Sequence, residues 1–136
     1  MNLLIVEDNK SLANCLRELA LDRAWAIIKL AVLEAENLED ALQLLPEADA
    51  VLCDGIFPDV PGGLPVCNWQ LVSDLAYARA IPFVLFSGDD TMVAVAESHG
   101  VLAFRKGLPA YMVVNVLLGA MSLKAGGNRK VKGEQK

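Results

Sequence analysis

Residues 50–59 read AVLCDGIFPD, an apolar run that stops on a carboxylate. An ionised side chain is strongly disfavoured in an apolar interior, so Asp54 has to reach a surface edge or meet a cation. An ordinary Asp-Gly turn would satisfy the first requirement and a chemical site would satisfy both. The rest of the chain decides between them.

Three more short apolar runs share this form: LLIV at 3–6, PFVLF at 82–86 and VLAF at 101–104. Each is too short for a helix and ends in polar or glycine residues, the pattern of strands buried on both faces of a parallel sheet. A fifth run, IIKLAVL at 27–33, is interrupted by Lys29 and suits an edge.

Between the runs the apolar period becomes helical. Leu12, Cys15, Leu16, Leu19 and Ala20 share one face, as do Leu38, Ala41, Leu42 and Leu45 behind an Asn37 cap with Glu39 and Asp40 in the first turn. Further helices are expected at 66–79, with Trp69 as a core residue, at 90–99 before Gly100, and from Pro109 through Met121. Strand and helix thus alternate five times. The expected fold is α/β, a doubly wound five-stranded parallel sheet with five helices.

In such a sheet, ligands bind beyond the carboxyl ends of the strands, near the reversal of strand order. The residues leaving those ends are Glu7 and Asp8, Asp54, Ser87 and Lys106. Each alone reads as a turn, a cap or a solvated lysine; together they place three carboxylates, a hydroxyl and an ammonium on one edge. Three clustered carboxylates repel, and Mg²⁺ is the hard cation that best fits oxygen ligands of this kind. With a lysine and a hydroxyl beside it, the set describes a phosphoryl site.

Composition agrees with this reading. With 136 residues, 54% of them hydrophobic, the chain can bury one core. Residues 124–136 carry five basic side chains against one acidic, leaving seven basic against sixteen acidic elsewhere. An acidic body argues against nucleic acid as the main ligand. The expected division is a domain over 1–122 and a basic, disordered tail over 123–136. The sequence shows no signal core or membrane-spanning run, and its three cysteines lack metal spacing and are expected to be buried free thiols. A cytoplasmic protein with no membrane partner is therefore expected.

LLIVEDN at 3–9, CDGIFPD at 53–59, FSG at 86–88 and FRKG at 104–107 together resemble the receiver domain of two-component response regulators, over roughly residues 1–122. The resemblance implies a flavodoxin-like, CheY-like fold with strand order 2-1-3-4-5. It implies that Asp54 accepts a phosphoryl group from a phosphohistidine on a histidine kinase or histidine phosphotransfer protein. Mg²⁺ would be held by Glu7, Asp8, Asp54 and the Ile56 backbone carbonyl; Ser87 and Lys106 would contact the phosphoryl group. The acyl phosphate can hydrolyse, so the signal resets itself.

Three features depart from the family pattern. Ala103 stands three residues before the lysine, where an aromatic is usual, and Phe104 follows it. Gly107 replaces the proline that commonly follows the lysine, and the segment after Asp54 is long. With no second domain expected, output would come from a downstream protein target or a phosphorelay. Helix 109–121 is apolar nearly all round, which suits a homodimer or partner interface through it, helix 90–99 and strand 101–104. A phosphorylation-independent interaction module is the alternative, supported by the displaced aromatic. An aspartyl-phosphate hydrolase is disfavoured because the position two beyond Asp54, where such enzymes carry an acid, is Ile56.

Overall fold

The computed structural model describes residues 1–25 and 28–134. In chain order its elements are β1 (Asn2–Val6), α1 (Lys10–Ala24), β2 (Ala31–Ala35), α2 (Leu38–Leu44), a 3₁₀ turn (Leu45–Glu47), β3 (Ala50–Cys53), β4 (Ile56–Pro58), β5 (Pro65–Cys67), α3 (Trp69–Ala78), β6 (Phe83–Ser87), α4 (Asp90–Ser98), β7 (Leu102–Arg105) and α5 (Ala110–Glu134). The main sheet is parallel, with order β2-β1-β3-β6-β7, which is the expected 2-1-3-4-5 once the β4–β5 hairpin is set aside.

The strands' two faces nucleate two cores. Leu4, Val6, Val51, Cys53 and Leu85 pack with α2, α3 and α4; Leu3, Ile5, Leu52, Val84 and Phe86 pack with α1 and α5. Such continuous burial is why β1, β3 and β6 read as unbroken apolar runs. Helix starts follow local capping: Asn37 accepts from Asp40 N at 2.8 Å, Asn9 from Leu12 N at 3.1 Å and Asp89 from Met92 N at 3.1 Å. Gly100, at φ 77°, ends the α4 region in a left-handed turn that favours glycine. Among the described residues, no helix is long and apolar enough to cross a membrane.

Four expectations need correction. The second strand is Ala31–Ala35 rather than 27–33, because its pairing with β1 begins at Asn2↔Ala31; Ile27 lies outside the described residues. The buried face of α1 is Ala13, Leu16, Ala20 and Ala24, so Cys15 is exposed, and Cys67 is exposed on β5; of the three thiols only Cys53 is buried. The fifth helix, expected over 109–121, is α5 and runs from Ala110 through Glu134.

The fourth is the segment after Asp54, expected as a loop, which forms an antiparallel hairpin with pairs Ile56↔Cys67, Phe57↔Val66 and Pro58↔Pro65. Its turn includes Gly62 at φ 77°. Phe57 is fully buried and enters the core of α2, α3 and α4, while Asn68 Nδ2 donates to Phe57 O at 2.9 Å and Asp59 Oδ1 at 2.8 Å. Asn68 precedes α3 without a side-chain capping bond because its amide ties the hairpin instead. Truncation of Phe57 to Ala should therefore cost about 3–5 kcal/mol in urea unfolding, whereas Leu64→Ala, at an 85% exposed position of the turn, should stay within about 0.5 kcal/mol of wild type.

Candidate functional site

The strand-order reversal falls between β1 and β3, and Glu7, Asp8 and Asp54 leave those two strands side by side. One ligand oxygen from each lies within 4.8 Å of the others. Backbone pairing fixes the origin of both strands' exits, since Asp54 N donates to Val6 O at 2.8 Å and Glu7 N to Ala35 O at 3.0 Å. Lys106, one residue beyond β7, is tied by its own N–H to Ser87 O at 2.9 Å. From there its ammonium reaches Glu7 Oε1 at 2.9 Å and Asp54 Oδ1 at 3.2 Å.

Both carboxylates are sheltered, with side-chain exposures of 3% for Glu7 and 11% for Asp54. Burial, reinforced by the Asp54 charge and opposed by Lys106, pushes Glu7 from 4.5 up to about 7. For Lys106, burial alone would lower the pKa, but the Glu7 hydrogen bond and the two carboxylate charges overcome it and raise the value. The ammonium therefore stays charged while the cluster around Glu7 remains short of positive charge. Cys53, fully buried directly before Asp54, has its thiol pushed well up, first by burial and then by the same carboxylates, so it is inert.

These donors fit a small hard cation. Oxygens around one Mg²⁺ lie about 3 Å apart when adjacent and about 4.2 Å when opposite, so three oxygens within 4.8 Å of one another can close on one ion by side-chain adjustment or through an intervening water. A cation would also offset the burial and the Asp54 charge that together keep a proton on Glu7. Ile56 opens β4 two residues after Asp54, with its side chain exposed.

Ser87 is buried at the end of β6 beside Gly55, but its hydroxyl is engaged elsewhere. Its Oγ accepts from Asp89 N at 3.1 Å and donates to Met92 Sδ at 3.6 Å. The sequence gives no sign of this partner, because Met92 reads only as a helical residue. Ala103 packs on the α2–α3–α4 side of the sheet, and Phe104 packs on the opposite side with α1 and α5. Regular pairing of Leu85↔Ala103, Phe86↔Phe104 and Ser87↔Arg105 excludes a bulge that would turn Phe104 round. Phe104 is on the face away from Ser87.

The order of the parallel sheet and its five flanking helices are those of the receiver fold of response regulators. Solved structures agree. The signal receiver domain of a DNA binding response regulator protein from Colwellia psychrerythraea 34H superposes with a TM-score of 0.66 at 22% identity, covering 86% of this chain and 94% of that one. A response regulator receiver protein from Sinorhizobium medicae WSM419 gives 0.67 at 21%, covering 89% and 96%. The response regulatory domain of protein mrkE from Klebsiella pneumoniae gives 0.67 at 16%, covering 91% and 97%. At these identities the likeness is one of fold. No protein-family model and no curated protein matches the sequence.

Glu7 supplies a test of the cluster without any ligand. Its raised folded pKa means that its contribution to stability is fully present below about pH 4.5 and is lost as pH rises through about 7. The loss is on the order of 3 kcal/mol by that shift. In metal-free protein, Glu7→Gln should remove it: unfolding at pH 8 should show the variant more stable than wild type by about 1–3 kcal/mol, an advantage that vanishes towards pH 4.

Proposed function

We propose that the chain is a phosphoacceptor receiver, with Asp54 taking a phosphoryl group from a phosphohistidine on a histidine kinase or histidine phosphotransfer protein. The observation that carries this reading is the Lys106 ammonium bridging Glu7 and Asp54 at the reversal of strand order. Glu7, Asp8, Asp54 and the Ile56 carbonyl would hold Mg²⁺, which when bound neutralises charge between the carboxylate and the phosphoryl oxygens.

The roles within Asp54 are unequal. Oδ1 accepts from Gly55 N at 2.7 Å and from Lys106 at 3.2 Å, which fixes the carboxylate plane. Oδ2 is then the nucleophile: it forms the new O–P bond while the P–N bond to the donor imidazole breaks and its electron pair returns to the ring nitrogen. Lys106 offsets the charge that would otherwise oppose the approach of one anion to another. Ser87 reaches the phosphoryl oxygen after transfer, once its hydroxyl leaves Met92. The product is an acyl phosphate open to hydrolysis by water.

Output would then pass to a downstream protein target. On α5, Val113, Val114, Leu117, Leu118 and Met121 are buried, whereas Tyr111, Met112 and Val116 stay exposed, with Val95 of α4 and Leu102 of β7 exposed as well. These side chains support docking of a partner or a second copy through α4, β7 and α5. A constitutive interaction module is the second reading, favoured by Ala103, which leaves the Ser87 face of β7 without an aromatic to respond.

Incubation of the wild type with Mg²⁺ and a small phosphodonor should label it stoichiometrically, with labelling lost on hydroxylamine treatment. Asp54→Asn should lose the label entirely and Lys106→Ala should lower its rate at least tenfold. Full labelling of Asp54→Asn would defeat the assignment; labelling that leaves partner binding unchanged would favour the module.

A further inference from the structure

We propose that Met92 is a positioning residue for this site: its thioether holds the Ser87 hydroxyl in a resting orientation over Gly55, and a phosphoryl group on Asp54 displaces it into an adjoining cavity. The proposal rests on the reading of Asp54 as phosphoacceptor.

Ser87 is 3% exposed, so its hydroxyl needs protein partners. Its accepting side is met by the Asp89 N–H at 3.1 Å and its proton by Met92 Sδ at 3.6 Å. A thioether is a weak acceptor, and an anionic phosphoryl oxygen makes a bond about twice as strong as a neutral one. The hydroxyl thus has a partner that holds it at rest and yields readily to the product of the reaction.

Met92 reaches this position because Gly55 has no side chain. A Cβ on Gly55 would overlap Met92 Sδ, and would sit 3.3 Å from Met92 Cε and 3.2 Å from Ser87 Oγ. The φ of Gly55 is not in the left-handed region, so the absent Cβ matters here for the room it leaves to the end of the Met92 side chain. The first turn of α4 is thereby brought against the backbone that leaves Asp54.

A second position for the thioether lies next to the first. Met92 lines a surface cavity of about 200 Å³ together with Cys67, Trp69, Thr91 and Val95, between the β4–β5 hairpin and α4. This is room for several waters, and the unbranched side chain can enter it by rotating its own torsions. On this side of the sheet β7 offers Ala103 beside Leu85 and Arg105 beside Ser87, the latter paired with Asp90 at 3.3 Å, so no β7 aromatic competes for the space near Ser87. Two places for Met92, one against Ser87 and one in the cavity beside Trp69, would form a switch between the site and the start of α3.

The test uses the whole chain with Mg²⁺ and beryllofluoride as the phosphoryl probe, binding being read by fluorine NMR. Met92→Leu keeps the volume but removes the acceptor, and Gly55→Ala expels the thioether while leaving Ser87 and Met92 in the sequence. Both should bind the probe about threefold to tenfold more tightly than wild type, the range expected when one weak hydrogen bond no longer has to be broken. Combining either with Ser87→Ala should abolish the gain, which a change in packing alone would not do. In a Trp25→Phe background, Trp69 fluorescence should change on probe binding in wild type and change much less in Met92→Leu. Wild-type affinity in both single variants, or a gain that survives Ser87→Ala, would overturn the role of Met92 alone. No probe binding by any folded form would overturn the Asp54 reading and the role of Met92 with it.

Discussion

The arrangement of this protein depends on one ammonium shared by two carboxylates. Lys106 stands beyond an edge strand, two strands away from Asp54, and meets Glu7 and Asp54 at 2.9 and 3.2 Å. That span is possible only because β6 separates β7 from β3 in register and the Lys106 backbone is bonded to Ser87. Sheet order is thus a condition of the electrostatics. The converse also holds, since without the lysine the sheltered edge would hold acidic groups with no compensating charge.

A single ammonium is not sufficient for the cluster. Glu7 still holds its proton to about pH 7, so at neutral pH the edge is poised between protonated and ionised forms. The fold tolerates this because β1, β3 and β6 are held by apolar cores on both faces, which fix the backbone whatever the charge state of the edge. An edge of this kind gives up some stability to keep three carboxylates together.

Much of this was legible in the sequence for a simple reason: strands buried on both faces carry apolar runs, and the residue that ends each run marks the sheet edge. Glu7, Asp8, Asp54, Ser87 and Lys106 were visible in that way, as were Trp69 in the core and Asn37 as a cap. The β4–β5 hairpin was hidden because three-residue strands bounded by proline and glycine have no readable period. The start of β2 depended on where β1 begins, which is a fact about a partner strand. Cys15 was misplaced by a rotation of α1 of about one residue, since Ala13 is short enough to be buried where periodicity alone favours larger side chains. The Ser87–Met92 contact joins a strand end to a helix through the space above a glycine, and no linear pattern encodes such a gap.

The pairing of Pro58 with Pro65 has a meaning beyond the hairpin's shape. Proline has no N–H, so the outermost pair presents two positions at which an incoming strand would find no donor. Edges of two- or three-stranded elements ordinarily invite another chain to extend the sheet, and short, proline-bearing edges decline it. The rim of Asp54 is therefore poorly suited to β-strand addition. A protein that comes to this aspartate has to recognise it through side chains and shape, and the same feature keeps neighbouring copies from joining edge to edge over the site.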